Sequence, residues 1–346
     1  MSALRPPQST STAIRSEDRI TQRAFSGRAI GLVGLIAAIT AMTGIADSRF
    51  LSGDVWLDIL VRGAPAAIVA CGLMLVIVIR EIDISVGSLM AILAAALGRL
   101  ISENHGNLTP LIGIPVILAL GTASGVLTGV LVTFGNVPSI IVTLGLLSVY
   151  RGGATLLMGG RNIDGLPEGL RDLSRTGLLG IPVSVWTAGV TILLTSLLIR
   201  LTPSGRQIFA CGSSPESARM AGLPIRRLKI FVFAWTGFLT ALATVVDIPR
   251  LPKIESGIGL EFELLVVTCV LVGGVSIHGG RGNLTEVVLA VFLMTMIRPV
   301  LTFMNIGESG EKWTRAIHGI FILLAVLGDR FRSQRSQSPD QNLSGS

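Results

Sequence analysis

Ile59-Leu-Val-Arg-Gly-Ala-Pro-Ala-Ala-Ile-Val-Ala-Cys-Gly-Leu-Met-Leu-Val-Ile-Val-Ile79 is an almost unbroken apolar run. A helix that crosses a hydrocarbon core ~30 Å thick needs ~20 such residues. Blocks of the same character recur on both sides of it, at 29–46, 84–101, 111–134, 139–158, 181–199, 230–246, 262–278, 287–305 and 313–328. Together they predict about ten spans and an all-α polytopic membrane protein. The fifth span, 139–158, is interrupted by Arg151, Gly152 and Gly153.

Composition agrees. Half of the 346 residues are hydrophobic, 14% are charged and the mean hydropathy is +0.71. One soluble core could not hide that much apolar surface. A soluble α/β chain would show strand-length runs with more charge between them. Cys71, Cys211 and Cys269 share no metal spacing and indicate neither a disulfide framework nor a zinc site. The net charge of +7 is spread around the spans and does not point to nucleic acid. The first 28 residues, rich in Ser, Thr, Pro and Arg, read as a disordered tail. The first apolar block ends at Asp47-Ser48-Arg49 without a small-residue cleavage site, so it reads as an uncleaved span. The expected organisation is a cytoplasmic tail over 1–28, a transmembrane domain over 29–329 and a second cytoplasmic tail over 330–346. Ten spans put both termini on one side. Basic residues are in excess there when that side is the cytoplasm.

Polar residues in such a chain carry the information. The longest cytoplasmic loop, 200–229, should contain one short helix over about 215–221. Ser214 is its N-cap and Pro215 its first residue. Glu216 sits in the first turn, where the helix dipole favours it. Gly222 stops the helix and Pro224 follows. Small residues (Ser217, Ala218, Ala221) suit docking into a groove, and a solvated basic linker is the plain alternative. Asp83 lies between spans two and three. Asp83 or Ser85 either caps the third span or lines a cytoplasmic gate. Asn136-Val137-Pro138-Ser139 breaks the chain between two spans, and its backbone needs protein or cavity water. Thr143, one turn further, faces a pathway or a neighbouring helix. Gly121, Gly125 and Gly129 would let helix backbones approach closely.

Four segments resemble bacterial ABC importer permeases of the ribose, arabinose, xylose and autoinducer-2 type. The first is the loop segment Thr202-Pro-Ser-Gly-Arg-Gln-Ile-Phe-Ala-Cys-Gly212 with Ser217-Ala-Arg-Met-Ala-Gly222. The others are Ile82-Asp-Ile-Ser-Val-Gly-Ser88, Asn136-Val-Pro-Ser-Ile-Ile-Val-Thr-Leu-Gly145 and Leu271-Val-Gly-Gly-Val-Ser-Ile-His-Gly-Gly-Arg-Gly282. The resemblance covers about 50–330 and implies that family's permease fold. It implies coupling to an ATPase through Gly205, Arg206, Gly212, Glu216, Ala218, Arg219 and Gly222. It implies a pathway or gate at Asp83, Ser85, Gly87, Ser88, Asn136, Pro138, Thr143, Gly145, Gly274 and Gly280. The implied partners are a second permease subunit, two cytoplasmic ATP-binding subunits and a periplasmic solute-binding protein. The implied location is a bacterial inner membrane. The implied cargo is a monosaccharide or a similar small solute.

The chain departs from that pattern in places. The family often has Gly-Gly where this chain has Arg80-Glu81, and Gly-Thr where it has Glu286-Val287. These changes leave the substrate open and hint at pairing with a non-identical permease. No cofactor is expected in the chain itself. Its Gly-rich turn lacks the Gly-Lys-Ser/Thr of a Walker A loop, so ATP and Mg belong to the partner. His105, His278 and His318 make no metal spacing. No catalytic constellation or metal site is predicted. The charged segments 159–180 and 247–263 are solvated loops or a docking surface for a delivery protein. An ion-coupled secondary transporter is the alternative. It would need carboxylates or broken helices at mid-membrane. Away from the span ends, only Arg151 and Arg298 are charged, and no acid is expected at mid-depth.

Overall fold

Helix α2, Gly53–Val78, carries the Ile59–Ile79 run and is buried on every side from Gly63 onward. A helix that is apolar all round belongs in a core. The other span helices number nine among the described residues. They are α1 (Gly27–Ala46), α3 (Val86–Ile101), α4 (Pro110–Gly135), α5 (Ser139–Met158), α7 (Val183–Leu201), α10 (Ile225–Asp247), α11 (Phe262–Val272), α12 (Leu284–Phe303) and α13 (Gly310–Ser336). Three short helices lie between them: α6 (Glu168–Thr176), α8 (Pro203–Ser213) and α9 (Pro215–Met220). This computed structural model describes residues 27–104, 106, 108–177, 179–305 and 310–336. Most of the predicted N-terminal tail, and His105, lie outside the described residues. The last helix, α13, continues past position 330 to Ser336.

Each of the ten predicted spans coincides with a helix. Among the described residues, seven helices are long and apolar enough to cross a membrane. The α3 helix has 16 residues and α11 only 11. At 1.5 Å per residue, α11 is ~16 Å long and cannot cross alone. The eighth span, expected over 262–278, therefore needs correction. Its helix stops at Val272, and Gly274 turns the chain at φ 82°. The Val275 amide donates to Val270 and the Gly274 amide to Leu271, closing a left-handed cap. The loop 273–283 then leads to α12.

Helices α4 and α10 meet along the predicted glycine stripe. Gly121, Gly125 and Gly129 recur every fourth residue and so share one face. A Cβ on Gly125 would strike the Phe233 carbonyl, and one on Gly121 would come 2.7 Å from the Gly237 carbonyl. Contact this close supplies the dispersion energy that lipid-solvated helices lack as a hydrophobic drive. Thr236, Thr240 and Thr244 return their hydroxyls to carbonyls four residues back, each at 2.8 Å. They enter the core without leaving an unmet donor. Among the described residues the isolated bridge is the pairing of Ile163 with Ile254, where the loops after α5 and α10 cross. The spans alternate in direction, so α1 starts and α13 ends on the face that carries α8 and α9.

Candidate functional site

On the α8–α9 face, three segments converge at the end of α2. The predicted loop held one helix; the structure has two. Thr202 caps α8 by accepting the Gly205 amide at 3.1 Å, and Pro203 occupies its first position. The same cap logic that exposed the second helix was available here, since Thr-Pro-Ser repeats the signal of Ser-Pro-Glu. Ser214 caps α9 by accepting the Ser217 amide at 3.3 Å. At the other end Gly222, φ 74°, closes α9: its amide donates to Arg219, and that of Leu223 to Ala218. Ala218 is buried and holds α9 against the body. The face left outward is Glu216, Ser217, Arg219, Met220 and Ala221, with Arg206 exposed on α8. Ala218 is thus turned into the body of the protein and is not presented on that outward face.

The α8 terminus is locked to α2. Gly212 is buried, and a Cβ there would collide with the Val78 carbonyl. That carbonyl accepts the Gly280 amide at 2.8 Å. Gly212 and Gly280, distant in sequence, therefore meet at the last turn of α2. Arg80 ties the same place together. Its Nε donates to the Gly212 carbonyl at 2.7 Å and its Nη2 to that of Ser213 at 2.8 Å. Those carbonyls are the free negative end of α8, where a cation is favoured. Arg80 itself has φ 66°. It stands at the left-handed position of a helix cap, with the Glu81 amide donating to Val76 and the Arg80 amide to Ile77. Glycine is the usual residue there. Beside it, Lys229 of α10 pairs with the buried Glu81. Burial pushes the Cys211 thiol of α8 above its ordinary range, against the pull of Lys229.

The link 79–85 then leads from this knot to α3. Ser139, at the start of α5, accepts the Ile82 amide at 3.0 Å. Thr143 is fully buried, its hydroxyl 3.5 Å from the Ile82 carbonyl. Asp83 accepts both the amide and the hydroxyl of Ser85, at 2.8 and 2.7 Å. Asp83 is the acceptor of this turn and Ser85 a donor; Ser85 makes no side-chain cap. Ser88 is buried, and no hydrogen-bond partner reaches its hydroxyl among the described residues. The remaining candidates stand apart. Asn136, φ 51°, ends α4 and is exposed with Pro138. Gly145 faces outward with open space around it, so no contact requires a glycine there. Gly274 lies beside the Arg28 side chain of α1.

Gly87 reveals the feature that sequence reasoning missed. A Cβ on it would collide with the Glu263 carboxylate and lie 2.5 Å from the Gly259 carbonyl. Yet Gly98, eleven positions further along α3, abuts Ile254 and Ile163 of the loops on the opposite face. The segment after α10 therefore descends along α3 for ~16 Å before α11 begins. Glu263 lies ~14 Å from the other end of α11. These two distances together match the thickness of a hydrocarbon core. Glu263 is at mid-depth, not at the loop boundary, and the expectation of no mid-depth acid fails. Arg151 of α5 donates to the Ile258 carbonyl at 2.7 Å and holds this segment down. The signal was present as Gly257-Ile-Gly259, a helix-poor stretch just ahead of an apolar run.

Comparison with known proteins gives a consistent relationship. Residues 55–326 match the family described as "Branched-chain amino acid transport system / permease component". The chain is similar to the ribose import permease protein of Haemophilus influenzae, at 32% identity over 90% of this chain and 94% of that protein. It is similar to the autoinducer 2 import system permease protein of Yersinia pseudotuberculosis, at 32% identity over 85% of this chain and 82% of that protein. No solved structure matches.

Proposed function

Since this chain belongs to the permease-component family of branched-chain amino acid transport systems, and is the permease subunit of an ABC importer, we propose that it carries a monosaccharide or related small solute into the cytoplasm. The cargo is ribose-like or autoinducer-2-like, in keeping with the relatives' names. Two permease subunits form the pathway, two separate ATPases bind ATP and Mg, and a periplasmic binding protein delivers the solute. The chain contributes no ATP site of its own. It sits in a bacterial inner membrane with both termini and the α8–α9 face in the cytoplasm.

The observation that carries this reading is the lock between α8 and α2. An ATPase gripping the exposed Glu216–Ala221 face would move α9 and α8 as a capped pair. Gly212, Gly280 and Arg80 would pass that displacement into the central helix and the link at Asp83. Broken spans and a mid-depth carboxylate also suit ion coupling. The relationship to import permeases does not favour that alternative. The test is uptake of D-ribose into proteoliposomes holding the permease with its ATPase and binding protein. ATP-dependent accumulation is expected; accumulation driven by an ion gradient without ATP would overturn the reading.

A further inference from the structure

A furrow of about 360 Å³ runs between α2 and α12, lined by Asp54, Asp58, Arg62, Arg298, Thr302 and Phe303. Asp54, Asp58 and Arg62 recur every fourth residue and share one face of α2. They span about 12 Å along its axis, starting at the end of α2 opposite α8–α9. Gly63 abuts Thr295 of α12. Arg298, about one turn nearer the same outer end, therefore stands level with the stretch between Asp58 and Arg62. A hydrocarbon core takes ~20 helical residues, so counting back from Val78 places its outer edge near Asp58. The furrow thus begins in water at Asp54 and ends just inside the hydrocarbon edge. Its acids are outermost and its guanidiniums innermost. Arg62 pairs with Asp58 at 2.6 Å. Asp54 and Arg298 are both exposed, and neither forms an ion pair with a described residue. A guanidinium this near hydrocarbon is costly without a counter-ion.

We propose that this furrow binds the headgroup of a phospholipid bearing a primary ammonium, of the phosphatidylethanolamine class, from the leaflet opposite α8–α9. With Asp58 and Arg62 paired, the furrow keeps one free carboxylate and one free guanidinium, the complement of a zwitterion. In such a lipid the ammonium lies outward of the phosphate, the same order as Asp54 above Arg298. The ammonium donates N–H groups to Asp54, and the phosphate oxygens accept from the Arg298 guanidinium. An anionic headgroup would satisfy Arg298 and set its remaining groups against Asp54. A choline headgroup has no N–H to give to Asp54. The volume lies at the low end for ligand pockets and holds a headgroup, not a helix ~10 Å wide. A protein docking from the water would meet the mouth at Asp54 rather than the guanidiniums beneath it. The fit holds whichever solute the chain carries.

The test counts bound lipid by native mass spectrometry. The full chain, in its complex and in mild detergent, is mixed with equimolar phosphatidylethanolamine, phosphatidylcholine and phosphatidylglycerol of matched acyl chains. Phosphatidylethanolamine should be retained about tenfold over each of the others, the scale of one charge-assisted hydrogen bond. Asp54→Asn should abolish the preference over phosphatidylcholine. Arg298→Gln should lower retention of all three lipids, and Arg298→Lys, which keeps the charge, should restore most of it. Both side chains are exposed, so these variants should fold, and an unchanged melting temperature in detergent checks this. Equal retention of the three lipids by the wild-type chain would overturn the proposal. So would a preference that survives both Asp54→Asn and Arg298→Gln. Loss of a protein subunit from the Arg298→Gln complex with lipid retention unchanged would assign the furrow to a protein partner and overturn it as well.

Discussion

Arg80 occupies a position that glycine fills at little steric cost. A left-handed non-glycine residue costs about 1–2 kcal/mol. Here that cost is offset by two charge-assisted bonds to the end of α8, at 2.7 and 2.8 Å. Arg80→Gly should therefore change thermal stability little, because strain and bonds leave together. It should still uncouple: ATP hydrolysis persists while transport per ATP falls severalfold. Arg80→Ala keeps the strain, loses the bonds and should be less stable than Arg80→Gly; the order of the two melting temperatures checks this. Glu81 is buried with Lys229 as its partner. Lys229→Ala should cost about 1–3 kcal/mol by stranding that carboxylate. The exchange Glu81→Lys with Lys229→Glu should recover part of the loss, and a double-mutant cycle reads the coupling. The sequence shows Arg80-Glu81 only as a departure from a Gly-Gly pattern. That the departure falls at a helix cap, facing another helix's carbonyls, depends on contacts 132 residues apart.

At the scale of elements, local signals were legible wherever they are local in origin. The caps of α9 could be read from Ser214, Pro215 and Gly222 because each acts within a few residues. The α4–α10 contact was half legible: Gly121, Gly125 and Gly129 announce a close approach, but not the partner. The α11 break was not legible from hydropathy. Val270, Val275 and Ile277 are as apolar as a span, and the turn between them rests on Gly274. Gly222→Ala would place a Cβ at φ 74°. It should destabilise the α9 terminus by about 1 kcal/mol. Because α9 is short and exposed, the expected signature is faster backbone hydrogen exchange over 215–223, with the spans unchanged. Gly87→Ala should do the reverse. Its Cβ has no space between Glu263 and Gly259, so it should disturb α3 and α11 together and lower the melting temperature of the whole chain by several degrees.

For the whole molecule, the apolar blocks established a bilayer protein and located ten of its helices, while the positions of charge required the fold. Glu263 reads as a loop residue because apolar residues begin beside it. It sits at mid-depth because the chain ahead of it re-enters along α3. The resulting machine has a rigid centre in α2, a capped helix pair on one face and a polar descent from the other. The most direct test of this account is a cross-link between Glu216→Cys and a cysteine placed in the groove of the co-expressed ATPase. Purified complexes should contain the ATPase in a fixed ratio, and the cross-link should form in high yield and abolish ATP-driven uptake until reduced. Uptake that continues in membranes from which no ATPase can be recovered with this chain would contradict it.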